Sequence, residues 1–446
     1  MNVLGIILNP AILSVIMLSL LCLMRVNVLL SLIISAIIGG LISHMKIDDI
    51  MTIFINGMGA NSETALSYIL LGTFAAAMAH TGMAQILGLK ITKVIKNNKY
   101  LLILILTIIA IMSQNLIPIH IAFIPIVIPP LIGLMNKLKL DRRNISCALA
   151  FGLKAPYIAL PAGFGLIFQG LVADNMIQNG YNIIKTNVWK YNIIIGFAML
   201  MGLFVAVFYS YRKERKYKDL PIACLDSNMD NDINKIKTQK LTKEHYITLF
   251  GAFATLIVQL VTGSLPLGAL VGLGIIFATR AVSHHKMDAL MNEGVCLMGY
   301  VAFVMLVAAG FAAVLKETGS INILINELSN YMLQSKIIAS IIMLILGLII
   351  TMGIGTSFGT IPILAVFFIP VCLKLGLSEI STVILLSASA ALGDAGSPAS
   401  DTTLGPTSGL NVDNQHNHIF DTCIPTFLHF NIPIFICALV IVMIFG

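Results

Sequence analysis

The final stretch, Phe427 to Phe445, is apolar apart from His429 and Asn431. Wound as a helix it has the length that crosses a bilayer core, about 20 residues. Similar runs lie at roughly 3–24, 26–43, 61–80, 101–135, 145–172 and 189–210, and again at 246–262, 265–281, 295–315, 337–373, 381–403 and 424–445. No water-soluble interior holds so much apolar surface: of 446 residues 58% are hydrophobic and 11% charged. An all-α polytopic membrane protein is expected, since the runs have helical length and lack the ten-residue alternation of a barrel. Residues 1–24 have no basic start or small-residue cleavage pattern and read as a retained span. The seven cysteines form no CxxC pair, which argues against zinc and against a disulfide frame. The net charge of +7 sits in short loops, as membrane topology requires, so no nucleic-acid partner is expected.

Six runs answer six, and the match extends to residues. Ser43-His44-x-Lys46-x-Asp48 recurs 240 residues later as Ser283-His284-x-Lys286-x-Asp288. Phe74-Ala75-Ala76 and Thr81-Gly82 recur after 237, and Gly170-Leu171-x-x-Asp174-Asn175 recurs after 239. Three matches in order at nearly one offset indicate duplication. The expected units are a first repeat 1–210, a basic connector 211–244 and a second repeat 245–446, with the connector read as flexible. Lys90, Lys93, Lys96 and Lys99, then Lys137, Lys139, Arg142 and Arg143, then the connector, mark cytoplasmic loops; their counterparts in the second half carry few cations. An inverted repeat explains that asymmetry. It sets the protein in the cell inner (plasma) membrane with 211–244 cytoplasmic and both termini outside.

Both ends of 101–135 then lie on one side, and its first arm, Leu101 to Met112, spans about 18 Å, little more than half of the membrane core. A re-entrant hairpin is expected there, tipped by Ser113, Gln114 and Asn115, with a partner hairpin at 337–373 tipped by Gly355, Thr356 and Ser357. Such tips supply neutral oxygens and helix N-terminal amides. Broken helices are expected at 145–172 and 381–403. The second contains Gly393-Asp394-Ala395-Gly396-Ser397-Pro398-Ala399-Ser400-Asp401-Thr402-Thr403, where Gly396, Pro398 and, just beyond, Gly405 and Pro406 should interrupt helix. Charged groups within a membrane persist where they bind something or line water, and broken helices at mid-membrane are how secondary transporters hold ligands. Asp394, Ser397, Ser400, Asp401, Thr402 and Thr403 are therefore candidate ion ligands, with Na+ at Asp394 and Asp401. Lys154, followed by Pro156, aligns with Asp394 at the 240-residue shift; it either neutralises an aspartate or holds a substrate carboxylate. Asp174 and Asp413 occupy matching positions expected to be solvated. His416, His418 and His429 suggest no metal site.

GDAGSPASDTTLGPTSGLN, with Asp421-Thr422-x-x-Pro425-Thr426 after it, closely resembles the NhaC-like Na+/H+ antiporter family, in particular its branch of histidine-permease-like amino-acid transporters. The resemblance covers nearly the whole chain. It implies inverted repeats, each with about five transmembrane helices and one re-entrant hairpin. Superfamily relatives that carry dicarboxylates use Ser-Asn-Thr at each tip; Ser113-Gln114-Asn115 and Gly355-Thr356-Ser357 depart from that and argue against dicarboxylate selectivity.

The expected function is cation-coupled secondary transport of an amino acid, with Lys154 and tip amides on the carboxylate and Asp394 or Asp401 on the ammonium or a coupling ion. The alternative is Na+/H+ exchange without an organic solute, in which desolvated aspartates bind sodium and protons in turn. An enzyme is not expected, since neither HExxH nor a phosphate-binding loop is present. No cofactor is expected beyond Na+ or H+ as the coupling ion. The partners are a small-molecule or ion substrate and the lipid bilayer, and a homodimer is compatible with them.

Overall fold

The computed structural model describes residues 9–83, 98–115, 124–162, 164–220, 242–262, 264–320 and 335–446, with positions 323 and 332. Every regular element among them is helical. In chain order the main helices are α1 Pro10–Leu23, α2 Val28–Ile42, α3 Ile47–Met58, α4 Ser62–His80, α5 Lys99–Asn115, α6 Arg142–Ala159, α7 Phe164–Gln178 and α8 Val188–Val205. They continue with α9 Lys243–Thr262, α10 Leu265–Ala278, α11 Met287–Glu317, α12 Lys336–Ile354, α13 Ser357–Lys374, α14 Glu379–Ala391, α15 Asp401–Leu410 and the run His418–Phe445, α16. Among the described residues six helices are long and apolar enough to cross a membrane, or seven if the bent pair α6 and α7 is one span.

Burial separates the centre from the periphery. Over the 18 residues of each span tested for hydropathy, 94% are buried in the α14 to α15 stretch, Glu379–Leu410, against 33–59% in the other five spans. Nearly every residue of α6 is buried as well. A helix buried all round lies inside a bundle, so α6 and α14–α15 form the interior and the remaining helices turn apolar faces outward. To one side α4 packs on α11 through small residues. A Cβ on Gly72 would stand 2.6 Å from the Gly294 carbonyl oxygen, and one on Gly294 would stand 2.4 Å from the Thr73 nitrogen. Helices in lipid associate by such close backbone contact, because lipid offers no hydrophobic drive between them.

Interruptions fall within 145–172 and 381–403, but not at Gly405 or Pro406. The α6 helix runs through Pro156 and ends at Ala159, after which the chain bends by 48° into α7. Pro156 is buried inside the helix and does not break it. Gly405 and Pro406 likewise lie within α15; Pro406 is near the start of that helix, so only the bond to the Thr402 carbonyl is lost. The real second break is Leu392 to Ser400. Gly393 has φ +84°, and a Cβ there would come 2.5 Å from the Leu348 carbonyl oxygen and 2.9 Å from the Met352 nitrogen. Only glycine permits both the left-handed turn and that approach to α12.

The α5 helix, expected to be the first arm of a hairpin, has 17 residues, more than the dozen or so expected; residues 116–123 lie outside the described residues. The arms of 337–373 have 19 and 18 residues, each of spanning length. The connector also departs from expectation. Residues 211–220 are not a free tether: the Arg215 amide donates to the Lys139 carbonyl (3.0 Å), the Arg142 amide to the Tyr217 hydroxyl (3.1 Å), and the Lys218 amide to Gln415 (2.8 Å). Residues 221–241 lie outside the described residues. Cys22, Cys147, Cys372, Cys423 and Cys437 are free, while Cys296 is disulfide-bonded.

Replacing Gly393 by alanine should destabilise the protein by roughly 2 kcal/mol or more, from the strained φ and the collision with α12. Thermal melting of the purified protein in detergent checks this; an unshifted midpoint would contradict the packing at Leu348.

Candidate functional site

Asp394 ends up inside because the chain cannot continue as a helix past Gly393. Leu392 is extended, Asp394–Gly396 form one 3-10 turn, and Ser397 is extended again before Ser400 caps α15 by accepting from the Thr402 amide. The freed polar groups bond locally. The Thr403 hydroxyl donates to the Ser397 carbonyl (2.6 Å) and the Ser397 hydroxyl to the Met352 carbonyl of α12 (3.2 Å). Ser397 and Thr403 therefore hold the shape of the break.

The Asp394 carboxylate, 3% exposed, is ringed by hydroxyls. Ser357, first residue of α13, donates to Oδ2 at 2.6 Å; the Tyr157 hydroxyl of α6 reaches Oδ2 at 3.2 Å and lies 3.1 Å from Ser357 Oγ. Ser400 donates to Oδ1, and Thr402 reaches Oδ1 at 3.3 Å and the Asp394 carbonyl at 3.1 Å. Lys154 Nζ lies 2.8 Å from Oδ2 with its side chain wholly buried. Among the described residues the ammonium has no acceptor other than Asp394. Asp401 is partly exposed, takes a long contact from Ser400 (3.5 Å), and is near enough for its charge to act on Lys154, Tyr157 and Tyr68.

Of the residues expected at the site, Lys154, Ser357, Asp394, Ser400 and Thr402 therefore meet directly, with Asp401 beside them. Gly355 takes the left-handed turn (φ +78°) that sets the α12–α13 tip against the Ala399 carbonyl, and the Thr356 carbonyl accepts from Thr360. Ser113 is buried and donates to the Ala110 carbonyl within its own helix; Gln114 and Asn115 close that helix, and their side chains lie outside the described part. Pro156 contributes helix interior. Tyr157 escaped the sequence reading, although it stands three residues after Lys154 and hence on the same face.

A second polar centre lies at the other end of α6. Arg142 was expected in a solvated loop and Asp413 in another, but both side chains are 0% exposed and pair bidentately at 2.7 and 2.6 Å. Arg142 also donates to the Leu410 carbonyl that ends α15 (2.9 Å) and lies under the Tyr217 ring, 4.2 Å from its centroid. Burial alone would raise the Asp413 carboxyl, yet the Arg142 guanidinium holds it below the usual carboxylate range. Asp174, by contrast, is solvated as expected, 46% exposed and paired with Lys185. Among the described residues no group of three or more metal-ligating side chains converges.

The family model described as the Na+/H+ antiporter family matches residues 148–442, which include both polar centres, and a second Na+-H+ antiporter family model matches residues 9–95. The chain belongs to the Na+/H+ antiporter family. It is therefore a multi-pass membrane transporter and not an enzyme. It is 43% identical over 447 residues to an uncharacterized membrane protein of Vibrio parahaemolyticus, across 98% of this chain and 100% of the relative. It is 41% identical over 445 residues to YuiF of Bacillus subtilis, a protein whose name proposes amino acid transport, across 96% and 98%. Among solved structures it is similar to Neisseria gonorrhoeae MtrF, described with a class of antimetabolite efflux pumps, at 14% identity and a TM-score of 0.42 over 89% of this chain and 84% of that one. The Alcanivorax borkumensis YdaH transporter matches at 12% identity and 0.42 over 88% and 87%.

In this antiporter-family chain Asp413→Asn should cost roughly 3–5 kcal/mol, because it strands a buried guanidinium. The pair's stabilisation is complete above the unfolded carboxylate range and is lost as pH falls through the lowered folded value. Melting against pH should therefore drop more steeply at the acid end for wild type than for Asp413→Asn; parallel curves would refute the assignment.

Proposed function

We propose that this protein is a cation-coupled secondary active transporter of an amino acid, with Na+ or H+ as the coupling ion. The Lys154 ammonium carries this reading. It is fully buried, it touches Asp394 at 2.8 Å, and its remaining hydrogens have no acceptor among the described residues. Leaving charged donors unpaired in a buried site is costly, and an α-carboxylate entering beside Lys154 relieves that cost. Asp401, partly exposed and within electrostatic reach of Lys154, takes the ammonium of the same zwitterion. Asp394 with Ser400 and Thr402 then holds the coupling cation, while Ser397 and Thr403 maintain the break. The α12–α13 tip at Gly355, Thr356 and Ser357 covers the Asp394 side of the site. The name of the Bacillus subtilis relative supports the substrate class.

Sodium–proton exchange without an organic solute is the second reading, and the oxygen-rich shell of Asp394 favours it. Tyr157, Ser357, Ser400 and Thr402 already surround the Asp394 carboxylate, and with their hydroxyls turned they offer lone pairs to a sodium ion that takes the place of the ammonium. In either case we take 1–210 and 245–446 as inverted repeats in the plasma membrane, with the connector cytoplasmic and a homodimer as fixed scaffold.

Proteoliposomes separate the two. Uptake of a labelled mixture of the common amino acids, driven by an imposed sodium or pH gradient, supports the first; sodium-driven proton movement in the absence of amino acids supports the second. Asp401→Asn should reduce driven uptake to background with the melting midpoint unchanged. Wild-type flux in that variant would remove Asp401 from the mechanism.

A further inference from the structure

His418 opens α16 and sits half-buried between the second break and α15. Its Nε2 lies 2.9 Å from the Pro398 carbonyl, which accepts only, so this nitrogen carries a hydrogen. Its Nδ1 lies 2.8 Å from Thr407 Oγ1. The Thr407 hydroxyl has one proton of its own, and it is placed to donate that proton to the Thr403 carbonyl (2.9 Å) or to Thr422 Oγ1 (3.0 Å). When it does so, Thr407 offers Nδ1 a lone pair. Both imidazole nitrogens then face acceptors, the arrangement that suits a doubly protonated ring.

The chain of contacts goes on. Thr422 Oγ1 lies 2.7 Å from His416 Nε2, and His416 Nδ1 is buried with no partner among the described residues. Two histidines are thus joined through two threonine hydroxyls. Cys423 Sγ, 3.5 Å from His418 Nε2, is the other titratable group in contact with His418, and Asp421, Arg142 and Arg215 act on His416.

We infer that His418 binds the transported proton and passes it to His416 along Thr407 and Thr422. The inference rests on the proton-coupled form of the function proposed above. The Nδ1 proton of His418 moves to Thr407, the Thr407 proton to Thr422, and the Thr422 proton to His416 Nε2. One proton leaves His418, one arrives at His416, and both threonines end chemically unchanged with their hydroxyls reversed. Loading His418 frees the Thr407 hydroxyl to bond Thr403, the residue that braces the Asp394 break, which links proton occupancy to the ion site.

His418→Gln retains an amide donor for the Pro398 carbonyl but cannot hold a second proton, and Thr407→Val interrupts the chain at nearly constant volume. In proteoliposomes given the labelled amino-acid mixture outside, both variants should lose about a hundredfold in pH-gradient-driven uptake, the scale of a missing proton-transfer group. Exchange of the same mixture across vesicles with no gradient should stay at the wild-type level. Driven uptake at the wild-type level in either variant overturns the inference, and so does equal loss of driven uptake and exchange, which would mark a purely structural role. Wild-type uptake that responds to sodium and ignores pH overturns it while leaving the transporter reading intact. Absence of both amino-acid and proton flux in wild type would instead defeat the parent reading.

Discussion

A lysine and an aspartate cannot both be withdrawn from water inside an apolar bundle unless each finds compensation, and much of the centre of this protein supplies it. Lys154 and Asp394 are nearly unexposed and 2.8 Å apart. Their attraction alone does not repay desolvation. The remainder comes from hydroxyls that a continuous helix would not deliver: Ser357 from the tip between α12 and α13, Ser400 and Thr402 from the start of α15, and Tyr157 from α6. The break at Gly393 and the turn at Gly355 exist in the positions where those oxygens are needed. Helix continuity was given up there for polar compensation.

That requirement explains what a sequence can disclose. A lone lysine among apolar residues demands a carboxylate, and only a glycine- and proline-rich stretch further on offers one in similar surroundings, so the Lys154 and Asp394 pairing was legible. Tyr157 was not, since a tyrosine in a membrane helix is ordinary and its role depends on the neighbouring helix. The Arg142 and Asp413 pair was hidden for a related reason. Charges beside span ends are usually solvated, and nothing in their spacing indicates that the Tyr217 ring covers them. Pro406 misled in the opposite sense, because a proline costs a helix one hydrogen bond and need not end it.

The connector illustrates how composition describes a segment without describing its contacts. Its basic and polar residues suit a solvated tether, yet Arg215 reaches Asp421 and the Arg215 and Lys218 amides bond to separate parts of the body. Residues 211–220 thereby touch both the start of α6 and the segment between α15 and α16. The family assignment and the site lie within this one assembled region, which residues 148–442 largely cover.

Lys154 and Arg142 lie toward opposite ends of one helix, and their partners Asp394 and Asp413 lie at opposite ends of another stretch. Two charged ties between the same two segments forbid either from sliding along the other. With Tyr157 adding a neutral tie to Asp394, the two stretches are stapled at both ends, and the burial of each charge depends on the other pair keeping the register.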